Sequence, residues 1–378
     1  MIHVGVGACS GRPAIVSIAI LQAATMAPKR KVVLGTDFSG LCAPSIALDQ
    51  LGVGHTYAFA CDVQRSCRKI LAHWHKPDVI YEDIQKRDMA TTPACDLYVS
   101  GFPCQAFSDL GLRQGSDDTR GRGLLVCNSL DYINTKMPKA IIMENVAAIL
   151  QPRHKALHDL VTTSLSSMGY ILGEAVLNTA DFGLPQQRNR WFLLAIHRDS
   201  IRSPADDLSH IFPTPRSYCI RLEQIITPLP ARSFKMLPPG TTGKAKLWRA
   251  NVKKAYAQIA KTGVNPFTKP CVVDIKSSPS FSSYKVGLTP TLTRTRCSGM
   301  GYWCSTKGGV MTCKEMALLQ GIPETYDWTG AGISSQQYGA MIGNSMSVNV
   351  LTCLLPDFLY AAQLVSLATR NTMNSHAF

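Results

Sequence analysis

The chain has 378 residues, 46% of them hydrophobic, and a formal net charge of +14. That is enough for one large domain or two of ordinary size, and no run of 18 uninterrupted apolar residues reads as a membrane span. Thirteen cysteines, an odd number without CxxC pairs, argue against a disulfide framework or a zinc cluster and for reduced thiols in a cytosolic or nuclear compartment.

Residues 1–30 carry no acidic side chain and are small and apolar from Ala14 to Ala24. A cleaved transit segment addressed to an organelle, an upstream start codon with Met26 as the real beginning, and a floppy tail all fit, and the extension is expected to be dispensable for chemistry. Pro28-Lys29-Arg30-Lys31-Val32 resembles a short nuclear-import signal, so a nuclear location is expected in a eukaryote and a cytoplasmic one otherwise. Lys31 to Asp37 reads as a buried strand, followed by a helical run from Pro44 to Leu51. A second strand spans His55 to Asp62 and a helix runs from Gln64 to about Trp74. Asp78 to Ile84 and Asp96 to Gly101 supply two more strands. Leu124 to Lys136 reads as helix, Ala140 to Glu144 as a short apolar strand and Lys155 to Met168 as helix. Tyr170 to Leu177 and Arg190 to His197 complete the strands. Strands alternating with helices predict an α/β fold with a doubly wound, mostly parallel sheet.

After about Asp199 prolines cluster, periodicity weakens and lysines accumulate, predicting a smaller region of irregular structure. Residues 201–300 hold 16 Lys plus Arg against 4 Asp plus Glu, an imbalance suited to a polyanion. Lys244, Lys246, Trp248, Arg249, Lys253 and Lys254 form its densest cluster, and Arg294 and Arg296 follow. Helix resumes at Cys313 to Leu319, and Ser347 to Leu364 reads as a closing helical run.

Ligands of open α/β sheets bind at the carboxyl ends of the strands. That edge carries Phe38-Ser39-Gly40-Leu41, then Asp62 with Val63, then Asp83-Ile84. A carboxylate after the second strand suits a ribose diol, and one after the third suits an adenine amino group, with Phe38 and Ile84 on the faces of the ring. Ordinary strand-end capping by Asp62 and Asp83 remains an alternative. No G-x-G-x-x-G is present, which argues against a dinucleotide. Gly101-Phe102-Pro103-Cys104-Gln105 puts a cysteine after a proline beyond the fourth strand, where a thiolate would be a nucleophile. Glu144-Asn145-Val146 ends the next strand, and Gln187-Arg188-Asn189-Arg190 opens the last.

In this order and spacing, the three motifs resemble those of the C5-cytosine DNA methyltransferases, from about Val32 to about Leu351. The resemblance implies a Rossmann-like class I methyltransferase sheet, S-adenosylmethionine as cofactor and double-stranded DNA as partner. No metal or membrane is implied, and a monomer is expected. It implies catalytic roles for Cys104, Gln105, Glu144, Asn145, Arg188 and Arg190. Cys104 would add to cytosine C6, activated by a basic neighbour, while Glu144 donates to N3 and Asn145 fixes the loop. The target base must be rotated out of the duplex, and the glycine-rich run Gly111 to Gly123 would close over it. Phe38, Ser39, Gly40, Leu41, Asp62, Val63, Asp83, Ile84, Gly101, Pro103, Asn344 and Ser345 would bind the cofactor. Lys244, Lys246, Arg249, Lys253, Lys254, Arg294 and Arg296 would contact DNA. The implied division is an extension (1–30), a discontinuous catalytic domain (31–200 plus 330–365) whose last helix folds back on the first strand, and a target-recognition region (201–329).

The chain departs from the family where two glycines of the first turn are replaced by Cys42 and Ala43, and where Asp37 stands one residue away from the usual acidic position. Three alternatives stay open. The transfer-RNA branch of the fold also uses Pro-Cys-Gln, but it tends to carry Asn-Ser where this chain has Gln186-Gln187, and its Cys-Phe-Thr signature is missing. A nucleic-acid-binding homologue with little catalysis is the second alternative, and an NAD enzyme a distant third.

Overall fold

The computed structural model describes residues 31–103, 125–203, 207–278 and 283–376. Seven strands, β1 (Val32–Asp37), β2 (His55–Cys61), β3 (Val79–Tyr81), β4 (Leu97–Ser100), β5 (Ala140–Val146), β6 (Tyr170–Asn178) and β7 (Asn189–His197), form a sheet in the order β3-β2-β1-β4-β5-β7-β6. β1 to β5 are parallel where they pair, whereas β7 runs antiparallel to both β5 and β6. The sheet is therefore mostly parallel, as expected, with β7 the reversed strand. The third strand is also shorter than predicted, so Asp83 and Ile84 stand in the turn beyond it.

Successive side chains of the central strands alternate between two apolar layers. Leu34, Ile142 and Leu194 join one layer, while Ile141, Met143 and Leu193 join the other. Helices α1 (Ala43–Gln50), α2 (Arg65–Trp74), α3 (Leu125–Lys136) and α4 (Lys155–Ser167) cover the faces. Gly35 on β1 is required by packing, since a Cβ there would lie 2.3 Å from the Phe59 ring.

The basic region is more regular than its composition suggests. An 18-residue helix, α5 (Gly243–Ala260), packs Val252, Ala255 and Ile259 onto Cys271, Val273 and Trp303 of an antiparallel sheet. That sheet has the order β11-β10-β8-β9, from β8 (Cys271–Asp274), β9 (Tyr284–Val286), β10 (Tyr302–Cys304) and β11 (Gly309–Val310). The chain returns through α6 (Arg294–Ser298), α7 (Cys313–Leu319), α8 (Ser335–Asn344), α9 (Val348–Ala361) and α10 (Leu367–His376). α9 packs against α1, and its Leu351 and Leu354 lie in the same apolar layer as Val32 and Leu34 of the first strand.

Residues 289–291 run beside 185–187 and join the two regions. Gln187 N donates to Thr289 O at 2.9 Å and Thr289 N to Pro185 O at 2.8 Å. The Thr291 hydroxyl donates to Gln187 O at 2.7 Å. Among the described residues no helix is long and apolar enough to cross a membrane.

Candidate active site

Parallel pairing of β4 with β5, ending at Ser100 opposite Met143, brings the segment after β4 beside Glu144 and Asn145. Asn145 is buried, and its amide does two things. Nδ2 donates to Phe102 O at 3.0 Å, and Oδ1 accepts from Val146 N at 2.8 Å. The backbone is thereby fixed one residue before Pro103. Cys104 and Gln105, with the glycine-rich run that follows, lie outside the described residues.

Glu144 is 8% exposed, and its Oε1 lies 3.2 Å from Arg190 Nε. The two are an ion pair by distance, but no described N–H or O–H is aligned on Oε1. Burial pushes the carboxyl above its ordinary pKa, and the charges of Arg190 and Arg188 pull it part of the way back. Gly101 lines the same place: a Cβ on it would sit 3.2 Å from Met346 Cε and 3.9 Å from Glu144 Oε2.

Arg188 and Arg190 take different positions. Arg190 faces Glu144. Arg188 is 1% exposed, and its guanidinium donates to three backbone carbonyls: Leu292 at 2.6 Å, Ser345 at 2.7 Å and Gly343 at 3.3 Å. It ties β7 to the returning linker and to the end of α8. Gln186 extends this tie, its Nε2 donating to Leu319 O at 2.7 Å and its Oε1 accepting from Leu292 N at 3.2 Å. Gly343 lets the linker approach, since a Cβ would fall 2.3 Å from Arg294 N.

At the strand ends, Phe38, Gly40 and Cys42 all have left-handed backbone, with φ of 54°, 52° and 52°. Cys42, where the resembled motif has glycine, keeps the turn at a steric cost, and burial pushes its thiol up to about 11. Asp62 Oδ2 accepts from Gly40 N at 2.9 Å, and Oδ1 accepts from Gln64 N at 2.8 Å. Its carboxylate thus braces the turn and the residue before α2, and burial raises its pKa. Asp83 Oδ1 accepts from Gln85 N at 3.0 Å. Val63 is left 74% exposed beside Asp62, while Phe38 is half-buried and Ile84 buried. The Ser39 hydroxyl donates to Cys61 O at 3.1 Å, and Leu41 is buried under the turn. Asn344 is exposed at the end of α8, whereas Ser345 is buried with its hydroxyl donating to Met346 O at 2.8 Å. A carboxylate-braced tight turn with exposed apolar surface beside it suits a nucleoside-bearing ligand.

Sequence reasoning missed the support beneath this turn. Asp37 and Arg87 form a buried ion pair at 2.6 and 3.0 Å, and Tyr98 donates to Asp37 Oδ2 at 2.5 Å. The Arg87 guanidinium lies over Phe59, Tyr81 and Tyr132, 5.1 to 5.6 Å from their centroids. The unusual acidic position, Asp37, was the available signal.

The predicted basic contacts separate. Lys246, Lys253 and Lys254 are exposed along α5, and the Lys276 amine is lowered first by burial and then by the charges of Arg296 and of Lys244 at the start of α5. Arg249 donates to Pro238 O at 3.3 Å. Arg296 pairs with Asp274 at 2.8 Å, whereas Arg294 reaches Gln64 Oε1 at 3.3 Å, beside the strand ends of the large sheet.

A family model described as C-5 cytosine-specific DNA methylase matches residues 38–358. Orphan methyltransferase M.SPRI of Bacillus phage SPR is 31% identical over 168 residues, 44% of this chain and 38% of that protein. The match therefore spans well under half the length of that phage relative. Type II methyltransferase M.NgoBI of Neisseria gonorrhoeae is 27% identical over 83% of this chain and 89% of its own. M.HaeII of Haemophilus aegyptius is 26% identical over 88% and 93%. Two solved structures share the fold: S. pombe Dnmt2 methyltransferase, with TM-score 0.60 and 18% identity over 88% of this chain and 98% of its own, and Entamoeba histolytica methyltransferase EhMeth, with TM-score 0.57 and 14% identity over 89% and 100%.

Proposed function

The chain belongs to the C-5 cytosine-specific DNA methylase family, and from that membership we propose that it is a DNA (cytosine-5-)-methyltransferase acting through Cys104 on an everted cytosine. The observation that supports the proposal is the Asn145 bond to Phe102 O, which holds the described end of the segment after β4 beside the strand end that carries the Glu144–Arg190 pair.

Cytosine C5 is a poor nucleophile. The Cys104 thiolate adds to C6, forming the S–C bond and moving the ring's electron pair toward C5 and N3. Glu144, whose carboxyl burial pushes toward taking up a proton, donates to N3 and so neutralises the charge that would build there. Arg190 sets how readily Glu144 gives up that proton. After C5 is alkylated, loss of the C5 proton re-forms the double bond and expels the thiolate. S-adenosylmethionine would supply the electrophilic methyl. Asp62, Asp83, Val63, Phe38 and Ile84 would hold it, with Asn344 and Ser345 closing the pocket.

The seven-stranded sheet with its returning helices, 31–200 plus 330–365, would be the catalytic domain. Residues 201–329 would recognise the target. Tritium transfer from S-adenosylmethionine to matched duplex DNA and to transfer RNA tests this directly. Methylation of the duplex supports the proposal, and methylation of RNA alone overturns the choice of substrate.

A further inference from the structure

We propose that a groove at the start of α2 seats one backbone phosphate of the nucleic-acid substrate, held between Arg65 and Arg294. The proposal rests on the methyltransferase function above and adds a contact on the large sheet's side, away from the lysines of α5. The groove has a volume of about 450 Å³ and is lined by Gln64, Arg65, Ser66, Arg294, Ser298 and Gln336, among others, with no carboxylate. Gln64 and Arg65 directly follow Asp62 and Val63, so the groove lies at the turn that leaves the carboxyl end of β2.

Its two cations are uncommitted in a way their neighbours are not. Arg68 is paired with Glu82 at 2.7 Å and Arg296 with Asp274 at 2.8 Å. Among the described residues, neither Arg65 nor Arg294 has a carboxylate within ion-pair distance; Arg294 leans only on the neutral Gln64 Oε1 at 3.3 Å. Two unpaired guanidinium groups facing one polar groove repel each other and are satisfied by a shared anion with several acceptor oxygens. A phosphodiester meets that need, and the serine and glutamine side chains supply further neutral donors. The cations are also held in place. α6, which begins at Arg294, lies so close to α8 that a Cβ on Gly343 or Gly339 would meet its backbone at 2.3 or 2.5 Å. The backbone just before Arg65 is held by the Asp62 Oδ1 bond to Gln64 N at 2.8 Å.

The test uses the full-length protein with a fluorescent matched duplex, comparing wild type with Arg65→Gln, Arg294→Gln, the double variant and Arg294→Lys. Binding is measured across a salt series, and S-adenosylmethionine affinity by titration calorimetry. The double variant should flatten the dependence of log Kd on log salt by about 0.9, the share of one phosphate. Its loss should fall in KM for DNA rather than in kcat, with cofactor affinity unchanged, and Arg294→Lys should recover most of the slope. An unchanged slope in variants that still methylate would overturn the seat and leave the methyltransferase function standing. Loss of cofactor affinity with an unchanged slope would also overturn it, assigning the groove to the cofactor. A wild type that neither binds nor methylates the duplex would overturn both proposals.

Discussion

Replacing Asn145 by alanine removes both bonds at the end of β5, and their surroundings set the magnitude. Phe102 is 3% exposed, so its carbonyl would lose its partner in a place water does not readily reach. Val146 is 38% exposed, so solvent can replace most of the second bond. An unsatisfied buried backbone group costs about 1–3 kcal/mol, and the exposed one adds little, which gives an overall loss of roughly 2–3 kcal/mol. The kinetic effect should be larger than the stability effect implies. Phe102 stands two residues before Cys104, and displacement of a reacting group by about 1 Å can cost roughly 10²-fold in rate. Asn145→Asp should fail as well: it keeps an acceptor for Val146 N but turns a carboxylate oxygen on the Phe102 carbonyl. The assay is single-turnover methyl transfer at saturating DNA and cofactor, at a temperature where circular dichroism shows each variant folded. A folded Asn145→Ala variant with the wild-type single-turnover rate would refute the positioning role and leave only a structural bond.

The left-handed backbone at Cys42 (φ 52°) predicts that Cys42→Val destabilises by about 2–3 kcal/mol in urea titration, whereas Cys42→Gly changes little because relieved strain offsets the lost buried thiol. Equal midpoints for valine and wild type would contradict this. Arg188→Lys cannot reach three carbonyls at once and should cost roughly 2–4 kcal/mol, read as a lower melting temperature; an unchanged melt would mean the tie contributes nothing to stability. Glu144 has its pKa raised by burial, so the native state keeps this proton to higher pH than the unfolded chain. Its contribution is complete below the ordinary 4.5 and lost as pH rises through the native value. The stability of wild type relative to Glu144→Gln should therefore fall with rising pH in that window, with a limiting slope of about 1.4 kcal/mol per pH unit. A difference that stays flat or rises would show that Arg190 outweighs burial.

Much of the large sheet was legible because its strands are buried on both faces and separated by turn-rich segments. The direction of β7 was not, since periodicity is blind to strand direction. The available clue was length: residues 179–188 are fewer than the dozen or so that a parallel crossover needs. The lysines of α5 hide its helical stripe at Val252, Ala255 and Ile259, and the small sheet is hidden because strands of two to four residues show no alternation. For α8 a local signal does exist, the capping box of Ser334 with Gln337. Local motifs singled out Glu144, Asn145 and Arg190, which the fold gathers at one end of β5 and β7. They could not separate the role of Arg188 from that of Arg190, because its partners Leu292, Gly343 and Ser345 lie more than a hundred residues away. Asp62 and Asp83 suit either ligand binding or capping by sequence; Asp83 caps the turn after β3, whereas Asp62 braces the backbone at Gly40 and Gln64.

The most direct test of the chemistry is to trap the protein on duplex DNA containing 5-fluorocytosine in the presence of S-adenosylmethionine and to locate the crosslink by peptide mass spectrometry. The expected result is a denaturation-resistant adduct on the peptide containing Cys104 and none with Cys104→Ser. An adduct on a different residue, or one that survives the serine substitution, would contradict it.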